Sequence, residues 1–121
     1  MRAVLDTCAL LHWSLSDYTP PADVLDGDVL ICAVSWCEIA WKHRLGSLPL
    51  PGGYHGWQEL VDRLGLRTIA VDRPLFLAAV FLDWEHRDPA DRLIVAAAHQ
   101  HGADLITCDR SLQRYYPRCR W

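Results

Sequence analysis

Short apolar runs alternate along the chain with stretches whose apolar residues recur at helical spacing, and this alternation sets the predicted elements. Ala3-Val4-Leu5 predicts a buried strand that ends on Asp6, with Thr7 as the N-cap of a helix through Ala9-Leu10-Leu11-His12-Trp13. Asp17 to Asp28, with Pro20-Pro21 and Asp26-Gly27, predicts a loop carrying about one helical turn. A second apolar run, Val29 to Val34, gives way to Ser35-Trp36-Cys37-Glu38, whose Ser-x-x-Glu spacing is that of a capping box. The helix it opens is expected to stop at Gly46. Pro49 to Gly56 is expected to be a loop bordering a cleft, followed by a helix from Trp57 to Leu64 that packs Trp57, Leu60, Val61 and Leu64 on a sheet. Gly65 ends that helix, Leu66 to Val71 is a third strand, and Asp72 caps a helix over Leu75 to Trp84 with Pro74 in its first turn.

The sharpest signal lies in His86-Arg87-Asp88-Pro89-Ala90-Asp91-Arg92 and the run Leu93 to Ala98. Asp88 reads as an N-cap, Pro89 as the first helical residue, and Asp91 as an acid in the first turn, where the helix dipole favours negative charge. After Arg92 nothing polar appears until His99, so this helix is apolar all round and must be enclosed by other elements. It ends at Gly102, and Ala103 to Cys108 forms a fourth strand that delivers Asp109. A short helix through Leu112 leads to an edge segment over Pro117 to Trp121. Strand and helix alternate throughout, which predicts an α/β domain over residues 1–121 with a mainly parallel sheet and helices on both faces.

Composition narrows the setting. A chain of 121 residues that is 51% hydrophobic suits one domain with one ordinary core. No apolar run approaches the ~20 residues needed to span a bilayer, and Met1 to Asp6 is too short and too soon acidic for a signal peptide, so a cytoplasmic protein is expected. The five cysteines show no CxxC or paired zinc spacing, which favours buried reduced thiols over disulfides or structural zinc. All the basic residues but Lys42 are arginine, and Arg110, Arg114, Arg118 and Arg120 crowd the C-terminus, where they suit either phosphate contacts or a solubilising tail.

In parallel sheets, sites form outside the carboxyl ends of the strands. Asp6 and Asp109 end strands, while Glu38 and Asp91 stand in the first turns of helices, so four acids from distant parts of the chain can converge on one edge. Each also has a purely structural reading: a turn residue at Asp6, a capping-box partner or an i,i+4 mate of Lys42 at Glu38, a cap at Asp88 and Asp91. No lysine or arginine is placed by sequence to neutralise the four, and carboxylates held together repel unless protonated or bound to a cation. Oxygen-only ligands select a hard ion, Mg2+ or Mn2+.

Leu5-Asp6-Thr7 with Leu10-Leu11, Ser35-Trp36-Cys37-Glu38-Ile39-Ala40 with Lys42, His86 to Ile94, and Ile106-Thr107-Cys108-Asp109 together resemble PIN-domain ribonucleases, close to the VapC-type toxins. The resemblance runs from Leu5 to Trp121 and implies a three-layer α/β/α fold. It also implies metal-assisted hydrolysis of RNA phosphodiesters, with Asp6, Glu38, Asp91 and Asp109 as catalytic and metal-holding acids. A homodimer and a cognate antitoxin partner follow from the same resemblance. The chain departs from the pattern between Trp13 and Val29, which leaves little room for the usual helical hairpin and bears on the partner surfaces more than on the acids. Two other classes compete. A haloacid-dehalogenase-type phosphatase expects a second aspartate two residues after the first, where this chain has Cys8. A catalytically inactive RNA- or protein-binding domain of the same fold predicts binding without metal-dependent cleavage.

Overall fold

The computed structural model describes all residues from 1 to 121. In chain order the elements are β1 (Arg2–Leu5), α1 (Thr7–Leu15), α2 (Ala22–Leu25), β2 (Asp28–Cys32), α3 (Ala33–Arg44), α4 (Gly53–Asp62), β3 (Arg67–Ile69), α5 (Arg73–Val80), α6 (Pro89–Gln100), β4 (Asp104–Ile106), α7 (Arg110–Tyr115) and β5 (Cys119–Arg120). The five strands form one sheet in the order β3-β2-β1-β4-β5, and every pairing is parallel. From the central β1 the chain builds outward to β3, then crosses back through α6 to lay β4 on the other side of β1. That reversal between β1 and β4 is where a parallel sheet opens a crevice at its carboxyl edge.

Side-chain alternation along the strands divides the core in two. Val4, Leu30, Cys32 and Leu105 face one side and pack with Leu75 and Ala79 of α5, Leu93 to Ala98 of α6, and Leu112 of α7. Ala3, Leu5, Val29, Ile31 and Ile106 face the other and pack with Ala9 and Leu10 of α1, Ile39 of α3, and Trp57 and Val61 of α4. The result is the expected three-layer sandwich, with α6 enclosed as its sequence requires: all residues from Leu93 to Ala98 are buried. No helix is long and apolar enough to cross a membrane.

Several local expectations are corrected. The residue that caps α1 is Asp6, not Thr7: its Oδ1 accepts from the Ala9 N–H at 2.7 Å. Ser35 is not a cap, because β2 runs straight into α3 at Ala33 and Val34 packs on the α6 side as a helical residue. The stretch expected as a loop to Gly56 becomes helical at Gly53, and Leu60 stays 41% exposed while Trp57 and Val61 are buried. The caps at Asp72 and Asp88 form as read, accepting from the N–H groups of Leu75 and Ala90. Gly46 and Gly102, the expected helix stops, both take the positive φ that favours glycine. All five cysteines are free, as expected, yet Cys8, Cys37 and Cys108 are exposed rather than buried. Half of the C-terminal arginine group is engaged within the chain, Arg118 with Asp104 at 2.8 Å and Arg120 with Asp23 at 2.7 Å, so only Arg110 and Arg114 remain open to a ligand.

Candidate active site

The register of β1 and β4 sets Leu5 beside Ile106, so the residues that follow each strand, Asp6 and Thr107, meet at the carboxyl edge. Asp6 is only 5% exposed, and the Thr107 hydroxyl donates to its Oδ2 while Ala9 donates to Oδ1. Thr107 in turn accepts from the Asp109 N–H at 3.0 Å, and Asp109 caps α7 by accepting from Ser111 and Leu112. One buried threonine thus ties two of the acids together, a role no sequence signal announced.

On the other side of Asp6, α3 presents Glu38. The Thr7 hydroxyl donates to Glu38 Oε1 at 2.6 Å and is hydrogen-bonded to the buried Ser35 at 2.8 Å. Ser35 and Glu38 are therefore not a capping box but a side-chain relay from α1 to α3. From α6, Asp91 Oδ2 lies 2.7 Å from His86 Nε2, an ion pair when the ring is protonated. His86 stands in the motif stretch, but its spacing to Asp91 is not a helical one, so only the turn before α6 brings it round.

Burial and neighbouring carboxylates raise three of the four acids. Burial pushes the Asp6 carboxyl up from its ordinary 3.8 to about 6, against the pull of the Thr107 and Ala9 hydrogen bonds, and the charges of Asp91 and Asp109 push it further. Burial likewise raises Glu38, partly offset by the Thr7 hydrogen bond and by Lys42, with Asp88 and Asp91 adding repulsion. Asp91 is raised by burial too, and held back by His86 while Asp88 and Asp109 oppose. The expectation of no neutralising lysine needs one amendment, since Lys42 acts on Glu38 from one helical turn away. No lysine or arginine hydrogen-bonds any of the four.

No two of the four acids hydrogen-bond each other. The tightest sets of ligand atoms are others: His86, Asp88 and Asp91 form one, Cys8, His12 and Cys108 the second, each with its atoms within 4.8 Å. Asp88 therefore adds a carboxylate near Asp91 besides capping α6, which the sequence reading assigned to capping alone.

A family model described as the PIN domain matches residues 3–116. The chain belongs to the PIN-domain family. This PIN domain is 35% identical over 94 residues to Ribonuclease VapC22 of Mycobacterium tuberculosis (strain ATCC 25618 / H37Rv), an alignment that covers 75% of this chain and 71% of the relative. Two solved structures share its fold: a toxin-antitoxin complex from Klebsiella pneumoniae (TM-score 0.67, 19% identity, covering 98% of this chain and 96% of that one), and VapBC2 from Rickettsia felis bound to a DNA fragment from their promoter (TM-score 0.72, 16% identity, covering 95% and 93%).

Proposed function

We propose that this PIN domain is a divalent-metal-dependent endoribonuclease, the toxin of a type II toxin-antitoxin pair, hydrolysing phosphodiester bonds of cellular RNA in the cytoplasm. The observation that carries the proposal is Asp6, a buried carboxylate in the field of two further carboxylates with no cationic side chain bonded to it. Such a group costs stability unless a cation joins it. The name of the mycobacterial relative supports RNA as the substrate.

The residues fit a hard ion. Asp6, Glu38, Asp91 and Asp109 offer only oxygen, and Mg2+ is commonly held by one or two carboxylates plus water, which suits carboxylates that raise one another's pKa. When bound, Mg2+ or Mn2+ supplies positive charge to the scissile phosphate and makes an attacking water more acidic. The chain's own part is positioning. Asp6 and Asp91 would hold the ion, Asp6 being clamped by Thr107 and Ala9 and Asp91 by His86. Glu38, steadied by Thr7, would be a ligand or orient the water, and Asp109 would contribute directly or through water. The test is the purified chain on total RNA with Mg2+, Mn2+ or EDTA. Cleavage that EDTA abolishes and Asp6→Asn removes is expected, whereas metal-independent binding without cleavage establishes the inactive RNA-binding alternative.

A homodimer and a cognate antitoxin complete the proposal. Phe76, Leu77, Val80 and Phe81 leave a group of apolar side chains exposed along and just after α5, the kind of contiguous patch that marks interaction sites. The toxin-antitoxin assemblies among the fold's relatives support a protein partner.

A further inference from the structure

Beside the acids, on the same sheet edge, lies a group of different chemistry. Cys8 and His12 stand one turn apart on α1, and Cys108 follows β4 between Thr107 and Asp109. Because β1 and β4 are paired in register, the two thiols meet although one hundred residues of chain separate them. The two sulfurs and an imidazole nitrogen lie within 4.8 Å of one another, all three side chains are exposed, and neither cysteine is in a disulfide. A tetrahedral zinc site spaces its sulfur and nitrogen ligands about 3.5–4 Å apart, a small rotamer adjustment from this arrangement.

A second observation points to the same place. Tyr18 Oη is the one buried side-chain polar atom without a hydrogen-bond partner. Tyr18 lies in the fields of Cys108 and Asp6, and its ring stacks on Trp121 while both border His12. Tyr18 and Trp121 thus wall the His12 side of the exposed cluster.

We infer that Cys8, His12 and Cys108 form a binding site for a thiophilic divalent cation of the Zn2+ type, distinct from the hard-ion site of the carboxylates. Two thiolates and one imidazole are a soft to borderline set that prefers zinc over magnesium or manganese, and three protein ligands leave one position open to water or another donor. The bound ion links the start of α1 to the β4–α7 junction and places positive charge next to Asp6 and Asp109. Binding here does not depend on whether the carboxylates cleave RNA.

Co2+ serves as the optical probe, added to the full chain under a non-thiol reductant. A near-ultraviolet thiolate-to-cobalt band saturating at one equivalent is expected, displaced by Zn2+ and indifferent to excess Mg2+. The band should vanish in Cys8→Ser and Cys108→Ser, need more Co2+ to saturate in His12→Gln, and persist in Cys37→Ser and Asp6→Asn. In the unaltered chain Zn2+ should also shield Cys8 and Cys108, but not Cys37, from alkylation. No thiolate band, a band that survives loss of both thiols, or alkylation of Cys8 and Cys108 unaffected by Zn2+ overturns the inference.

Discussion

At the residue scale, Asp6 carries a stability signature that can be read without RNA. Its pKa in the folded chain, about 6, lies above the 3.8 it has when exposed. The folded state keeps a proton that the unfolded chain has already lost, so the contribution is fully present below about pH 4 and is lost as pH rises through about 6. In EDTA, Asp6→Asn should therefore stabilise the protein by about 1–3 kcal/mol at pH 7 and little at pH 4, seen in denaturant melts at the two pH values. Asparagine caps a helix as well as aspartate, so α1 is not at stake. An equal effect at both pH values would mean that Asp6 is not held near 6. Arg92 makes the opposite kind of contribution. Its guanidinium donates to the carbonyls of Ala79, Val80, Leu82, Trp84 and His86, closing the end of α5 and the turn that delivers His86 to Asp91. Lysine cannot reproduce that fork, and Arg92→Lys should cost about 2–3 kcal/mol in a chemical melt.

At the scale of the element, the start of α6 combines capping and site chemistry within four residues, and paired substitutions separate them. Asp88→Ala removes the cap on Ala90 and should cost about 0.5–2 kcal/mol, while Asp88→Asn keeps the cap and should melt close to the unaltered chain in EDTA. Asp91→Asn should erase most of the stabilisation that Mn2+ gives, since a ligand stabilises only through its binding to the folded state. The gain it brings in EDTA by relieving repulsion is reduced by the lost pairing with His86. Thermal melts of the three variants with and without Mn2+ read both effects. A full Mn2+ response in Asp91→Asn would remove Asp91 from the site, and its loss in Asp88→Asn would add Asp88 to it.

At the scale of the whole molecule, the exposed apolar side chains around α5 are the clearest unfinished surface, with Phe81 80% and Val80 64% exposed. Light scattering at micromolar concentration should find a dimer, and Phe76→Glu with Phe81→Glu should shift it to monomer without unfolding it; a strict monomer in the unaltered chain refutes the dimer. Much of the architecture was legible beforehand, because the enclosed run Leu93 to Ala98 and the short apolar strands admit little but a sheet covered on both faces. Helix stops at glycine and caps at Asp72 and Asp88 were legible for the same reason: they depend on backbone geometry within a few residues. So was the placing of Asp6 just after β1 and of Asp91 in the first turn of α6, whereas Glu38, expected in a first turn, falls in the second turn of α3 because that helix already starts at Ala33. Their partners were not. Thr107 under Asp6, Thr7 against Glu38 and the Cys8–His12–Cys108 group all join segments that meet only because β1 lies between β2 and β4. Nor could local pattern choose between Ser35 as a cap and Ser35 as a buried relay, since Ala33 and Val34 suit strand and helix alike until α6 packs on one side. Periodicity and capping are short-range and are written in the sequence itself. Which side chains share a hydrogen bond or a ligand position across the sheet is long-range, and strand order alone decided it.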